Sequence, residues 1–140
     1  MASISMTLVG GDALVRSMQQ YLKRTKDEVE AAKHLTAYAI AADWKRNSNV
    51  YIYDVPRREN AYELTGDFRA SITAERVAAY GGWTVHDGVE YGARLEFGFI
   101  GQDKLGRTYN QAGRPMLRKA IERNKNRYIK GLKTAIKFRG

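Results

Sequence analysis

The stretch GFIGQDKLGR, residues 98–107, carries glycines densely enough to suggest a loop that cradles a phosphate. A phosphate-binding P-loop ends in G-K-[ST], so that a lysine and a hydroxyl meet the phosphates and their magnesium, and it sits between a parallel strand and a helix. Residues 98–107 lack that ending and that setting. A structural metal needs about four ligands, and the chain has no cysteine and only two histidines, His34 and His86, neither with a ligand-spaced partner. Glu90 and Glu96 are evenly spaced on one expected strand, roughly 20 Å apart by strand rise, which is too far for a shared acid–base task. Arg94 shares that face and suits a cross-strand ion pair. Ser71 and Thr73 have no histidine at an activating position. Catalytic side chains meet in space rather than in sequence, but nothing here supports an enzyme. The expectation is no catalytic residue, no cofactor and no metal.

The elements that would position any site come from the bulk numbers and the periodicity. A chain of 140 residues with 44% hydrophobic content is most economically one domain with a real core. No apolar run approaches the roughly 20 residues of a membrane span. The start MASISMTLVGGD lacks a basic region followed by an apolar one, so it does not read as a secretory signal. The net charge of +9 is localised: residues 113–140 hold ten basic residues against one acid, Glu122, while residues 1–112 are balanced. Such a field favours a polyanion or an acidic protein surface and does not bear on fold.

A strand-like start (Ile4 to Val9) ends at Gly10-Gly11-Asp12, and Asp12 can cap a helix carrying Leu14, Met18, Tyr21 and Leu22. Thr25 with Glu28 resembles a capping box for a second helical stretch to about Trp44; whether these are one helix or two is open. Residues 47–64 read as a loop, with Val50–Tyr53 as a short strand or ordered turn. Phe68, Ala70, Ile72 and Ala74 alternate with polar residues, which predicts a strand over Phe68–Val77. Gly82–His86 predicts a second strand, and Asp87-Gly88 a tight hairpin turn into a third, Val89–Phe97. Residues 98–113 read as an extended loop. Pro115 suits the first turn of a last helix, with Leu117, Ile121, Tyr128, Leu132, Ala135 and Ile136 on one face. Gly131 weakens that helix by about 1 kcal/mol relative to alanine. The predicted class is α+β: N-terminal helices, an antiparallel sheet of three to four strands, and a basic C-terminal helix.

Two features suit a binding surface. Tyr51, Tyr53, Tyr62, Tyr80, Tyr91 and Tyr109 concentrate in loops and at strand ends, where their rings could stack on bases or serve a protein interface. Arg118, Lys119, Arg123, Lys125, Arg127 and Lys130 line the last helix and are candidates for contact with DNA or with an acidic partner.

Three patterns follow in order: Thr65-Gly66-Asp67-Phe68-Arg69-Ala70-Ser71-Ile72, then Tyr91-Gly92-Ala93-Arg94-Leu95-Glu96-Phe97-Gly98, then Gly113-Arg114-Pro115-Met116-Leu117-Arg118-Lys119-Ala120. Together, over roughly residues 10 to 135, they resemble the neck and tail-completion (head–tail connector) proteins of long-tailed bacteriophages. The resemblance implies a structural, non-enzymatic virion protein, made in the cytoplasm of a bacterial host. It implies a ring of on the order of six or twelve copies at the head–tail junction or the top of the tail tube. Its partners would be itself, other neck and tail proteins and, transiently, double-stranded DNA, with no membrane. On this reading Thr65, Gly66, Phe68, Arg69, Ser71, Ile72, Tyr91 and Leu95 are structural. Glu96, Phe97, Gly98, Arg107, Tyr109, Arg114 and Pro115 serve assembly: residues 99–113 form an arm over the next subunit that orders on assembly, and Arg114 pairs with Glu96. The basic helix faces either the DNA channel or an acidic neighbour, and we favour the neighbour, because a strongly positive lumen would grip passing phosphates. The runner-up function is a small basic nucleic-acid-binding protein.

Overall fold

No glycine or proline interrupts the chain from Asp12 to Ser48, and this stretch forms one helix, α1 (Gly11–Ser48), in the computed structural model, which describes residues 9–53 and 65–137. The helix starts at Gly10, whose φ of 95° is left-handed, and no side chain caps it; Asp12 lies in its first turn. Thr25 is in mid-helix, and Glu28 pairs with Arg24 one turn back (3.8 Å) rather than closing a capping box. The helical period runs on as a π-helical turn, Asn49–Tyr53, where a strand or loop was expected. The expected strand at Ile4–Val9 and the rest of the 47–64 loop fall outside the described residues, apart from Val9.

The predicted three-strand meander is corrected at both ends. Phe68 to Ser71 belongs to a short helix, α2 (Asp67–Ser71), and only Thr73–Val77 is strand, β1. Phe68 and Ile72 are both buried, but four apart on a helical turn rather than alternating on a strand. Gly66, at φ 85°, sets the start of α2, with the Thr65 hydroxyl accepting the Asp67 amide (3.3 Å). β1 pairs antiparallel with β2 (Gly82–His86), from Thr73 opposite His86 to Val77 opposite Gly82, around the turn at Gly81.

Asp87-Gly88 makes no hairpin. Gly88 does not take the positive φ of a type I′ turn, and the Asp87 carboxylate accepts the Val89 amide (3.2 Å), turning the chain into α3 (Gly92–Phe97). The Val89–Phe97 strand is therefore absent, and with it the shared strand face of Glu90, Arg94 and Glu96. Residues 98–113 are not a loop either. β3 (Gly98–Gln102) and β4 (Thr108–Ala112) form a second antiparallel hairpin, Phe99 opposite Gln111 and Gly101 opposite Tyr109. Among the described residues the fold is α+β with two two-stranded sheets rather than one sheet of three or four strands.

The last helix, α4 (Met116–Ala135), runs antiparallel along α1: the Asn47 side chain donates to the Met116 carbonyl at one end, and the Tyr21 hydroxyl to the Ile136 carbonyl at the other, both 2.7 Å. Its buried stripe is Met116, Ala120, Asn124 and Ala135; of the expected face Ala135 is buried and Leu117, Tyr128 and Leu132 are half-buried, but Ile121 and Ile136 are exposed. Small side chains bring the axes together, and a Cβ at Gly131 would touch the Cβ of Ala32 at an ordinary 3.6 Å. The core gathers Ala41 and Trp44 of α1, Ile52, Phe68, Ile72, Met116 and Ala120, with Trp44 and Phe68 edge to face at 6.0 Å.

Two substitutions check this packing by urea unfolding. Phe68→Ala removes a buried ring and should cost about 3–5 kcal/mol. Gly131→Ala should stabilise by roughly 0.5–1 kcal/mol, since the added methyl meets only van der Waals contact and helix propensity improves.

Candidate functional site

The second and third sequence patterns meet in space. α3 begins after Tyr91, and a side chain at Gly92 would collide with the Asp87 carboxylate, so this turn is built around a residue without a Cβ. Four residues on, Glu96 turns its carboxylate to the start of α4. Its Oε2 accepts the amides of Met116 (2.8 Å) and Leu117 (2.9 Å), and its Oε1 accepts that of Arg118 (3.0 Å). The first amides of a helix have no partner within it, and a carboxylate there also meets the positive end of the helix dipole. Pro115, just before, has no N–H to satisfy. The expected Glu96–Arg114 ion pair is not formed; the Arg114 backbone amide donates to the Leu95 carbonyl instead (2.8 Å). Glu96 therefore holds α3, and everything that leaves from it, against the root of α4.

The hairpin leaves from this root. Gly98 has φ 81°, and a Cβ there would lie 2.5 Å from the Gln111 carbonyl oxygen and 2.6 Å from the Gly113 nitrogen. A Cβ on Gly113 would in turn lie 2.7 Å from the Glu96 carbonyl oxygen. Two facing glycines thus let the strands cross closely above α3. A valine at 98 would break this crossing within a single subunit, so that position does not separate folding from assembly.

The tip turns around Asp103. Its Oδ1 accepts the amides of Leu105 and Arg107, both 2.9 Å, and its Oδ2 accepts the Arg107 Nε–H (2.6 Å) and the Tyr109 hydroxyl (3.2 Å). Hydrogen bonding, led by the Arg107 amide and reinforced by its guanidinium, lowers the Asp103 carboxyl from 3.8 to about 2. Arg107 and Tyr109, expected at an interface, are thus engaged in shaping the tip. Behind it the Arg94 guanidinium lies over the Phe99 ring (4.2 Å), and Phe99 packs near Tyr109 (5.9 Å). Three large apolar side chains at the root, strand and tip are bare: Phe97 is 83%, Ile100 82% and Leu105 77% exposed.

Residues of the first pattern make contacts within the chain. The amide of Arg69 donates to the Tyr53 hydroxyl (3.4 Å), and its guanidinium covers the Tyr53 ring (5.3 Å) and bonds Asn49 Oδ1 (2.7 Å). The Ser71 hydroxyl donates to the Phe68 carbonyl (2.8 Å). Tyr91 leans on Phe68 (6.4 Å); burial, with the charges of Tyr53, Asp67 and Asp87, pushes its phenol above the ordinary value. Leu95 is half-buried against the core. Tyr62 lies outside the described residues.

The candidate DNA contacts divide. Lys119 sits over the Tyr51 ring (4.6 Å) and bonds its hydroxyl, and Arg123 reaches Asp43 (3.4 Å). Arg118, Lys125, Arg127 and Lys130 are exposed, and none forms an ion pair among the described residues. Asp43 and Asn124 were missed by sequence reasoning. Both are buried, and the Asn124 amide bridges Asp43 Oδ2 (2.8 Å) and the Ala120 carbonyl (2.9 Å), tying α1 to α4. The available signal was the four-residue step Met116, Ala120, Asn124, which places a polar side chain on a buried stripe.

His34 stacks on Trp83 (4.7 Å), and His86 lies between Thr73 (3.2 Å) and Glu75 (3.5 Å). Among the described residues no three histidine, aspartate or glutamate side chains cluster as metal ligands, and no helix is long and apolar enough to cross a membrane. Comparison with protein-family models, curated proteins and solved structures finds no match to this chain.

Glu96→Ala should cost about 1–3 kcal/mol by urea unfolding, because three amides lose their acceptor. Glu96→Gln, which keeps one acceptor oxygen, should cost less. The hairpin should respond to acid. Its Asp103 carboxyl titrates lower in the folded chain than in the unfolded one, so the stabilisation is complete above pH 4 and is lost as pH falls towards 2. Protection of the amides of residues 98–112, taken relative to their intrinsic exchange rates, should fall through that window, and Asp103→Asn should lower it at neutral pH.

Proposed function

We propose that the chain is a structural, non-enzymatic subunit of a bacteriophage neck that assembles as a ring at the head–tail junction or the top of the tail tube. The observation that carries this reading is the β3–β4 hairpin. It is rooted on α3 and α4, turned around Asp103, and presents Ile100 and Leu105 to solvent, with Phe97 of α3 exposed at its root. A two-stranded hairpin is marginal alone in water, and apolar side chains at its surface suit a protein partner. In a ring each subunit offers one surface to the next until the circle closes, and the hairpin is suited to be the offered arm. It is ordered before assembly, so the arm docks rather than folds on its neighbour, and little conformational entropy is lost when it does. The three ordered sequence patterns support the same reading, because two of them build the root of this arm.

The exposed cations of α4 favour a second reading, a basic nucleic-acid-binding protein. In the first reading they face an acidic neighbour in the neck.

Light scattering and particle imaging separate the two. A closed multimer, lost in an Ile100→Asp, Leu105→Asp double variant whose melting temperature stays within about 2 °C of the parent, is the expected result. Salt-sensitive binding to short duplexes by a monomer or dimer would favour the second reading.

A further inference from the structure

α1 outruns the helix that covers it. Its overlap with α4 ends at the Tyr21–Ile136 hydrogen bond, so Gly11–Gln20 extends about 15 Å further at the helical rise. This extension is not polar. Leu14, Val15, Met18 and, at its base, Leu22 are 62%, 52%, 54% and 64% exposed; Leu14 and Met18 stand seven and three residues before Tyr21, on the side of α1 that meets α4, and Val15 and Leu22 flank them. A stripe at this spacing is the ordinary signature of a helix face that packs on something.

A receiving surface of the right form lies elsewhere on the same molecule. Between α1 and α4 runs an open groove of about 660 Å³, lined by the small residues Ala31, Ala32, Ala39, Gly131 and Ala135 and by Leu35, with Glu28, Arg127 and Lys130 also on its walls. Large side chains on one surface and small ones on the other is the arrangement that helix-in-groove packing uses. The lengths agree: Leu14 to Leu22 and Ala31 to Ala39 each span eight helical steps, about 12 Å of helix. The two surfaces cannot meet within one chain, because both lie on the unbroken α1.

We infer that the first turns of α1 are a second docking element, received in the α1–α4 groove of another copy of this chain. The inference rests on the reading of the protein as a self-assembling subunit. Buried area argues for a second copy. The three bare side chains of the hairpin and its root, Phe97, Ile100 and Leu105, expose roughly 500 Å², and the four on α1 roughly 400 Å², each near the size of the largest patch on an ordinary monomer. Neither reaches the roughly 800 Å² per partner of a standard interface; together they do.

The chain contains no cysteine, so single cysteines report the contact directly. Met18→Cys and Leu35→Cys, both at exposed positions, would be purified separately, mixed at concentrations where the parent is multimeric, and oxidised. The expected result is a disulfide-linked pair in the mixture at more than tenfold the yield of either variant alone. A multimer that gives no such excess overturns the groove contact and leaves the ring reading standing. Pairing by Met18→Cys alone overturns it too, since the extensions would then pack on each other. A monomeric mass at every concentration and in isolated particles overturns both. Leu14→Asp with Leu22→Asp gives an independent check: the mass should fall with melting unchanged, and an unaltered multimer overturns the inference.

Discussion

The Glu96 carboxylate at the start of α4 is the contact on which the arrangement depends. Three amides that a helix cannot satisfy internally find their acceptors on a side chain twenty residues earlier. Because the chain between them must leave and return, that span becomes a hairpin whose two ends are held side by side. Gly98 and Gly113 are needed at the crossing for the same reason: with the ends clamped, the backbones come closer than any Cβ permits. One charged side chain thus couples a short helix, a projecting hairpin and the longest contact in the fold.

That contact, between α1 and α4, is made by removing side chains rather than adding them. Alanines and Gly131 let the helices approach, and the polar pair Asp43–Asn124 fixes their relative position within an otherwise apolar seam. A buried hydrogen bond of this kind specifies register as much as stability. Using small residues leaves the large ones, Leu14, Met18 and Leu22, beyond the seam, and sends the cations of α4 outward. Both surfaces left exposed, apolar and basic, are therefore consequences of how the seam is built.

The sequence was most legible where one local signal acted alone. Pro115 marked the start of the last helix, and the β2 strand spans the expected Gly82–His86. It misled where two periods fitted the same residues. Phe68 and Ile72 are four apart, which suits a helical turn, and an even number apart, which suits a strand. Over five residues the pattern cannot choose; the choice falls to Gly66, the Thr65 cap and the place of both side chains in the core. Asp87-Gly88 failed for a related reason, since the aspartate found a closer acceptor role in binding the Val89 amide.

Composition and periodicity alone determined an α+β chain with a basic final helix, because apolar spacing and charge are properties of neighbouring residues. Which glutamate caps which helix, whether residues 98–113 are loop or hairpin, and which face of α4 is buried were decided only by tertiary structure. Each depends on groups far apart in the chain satisfying one another at distances that no local pattern records.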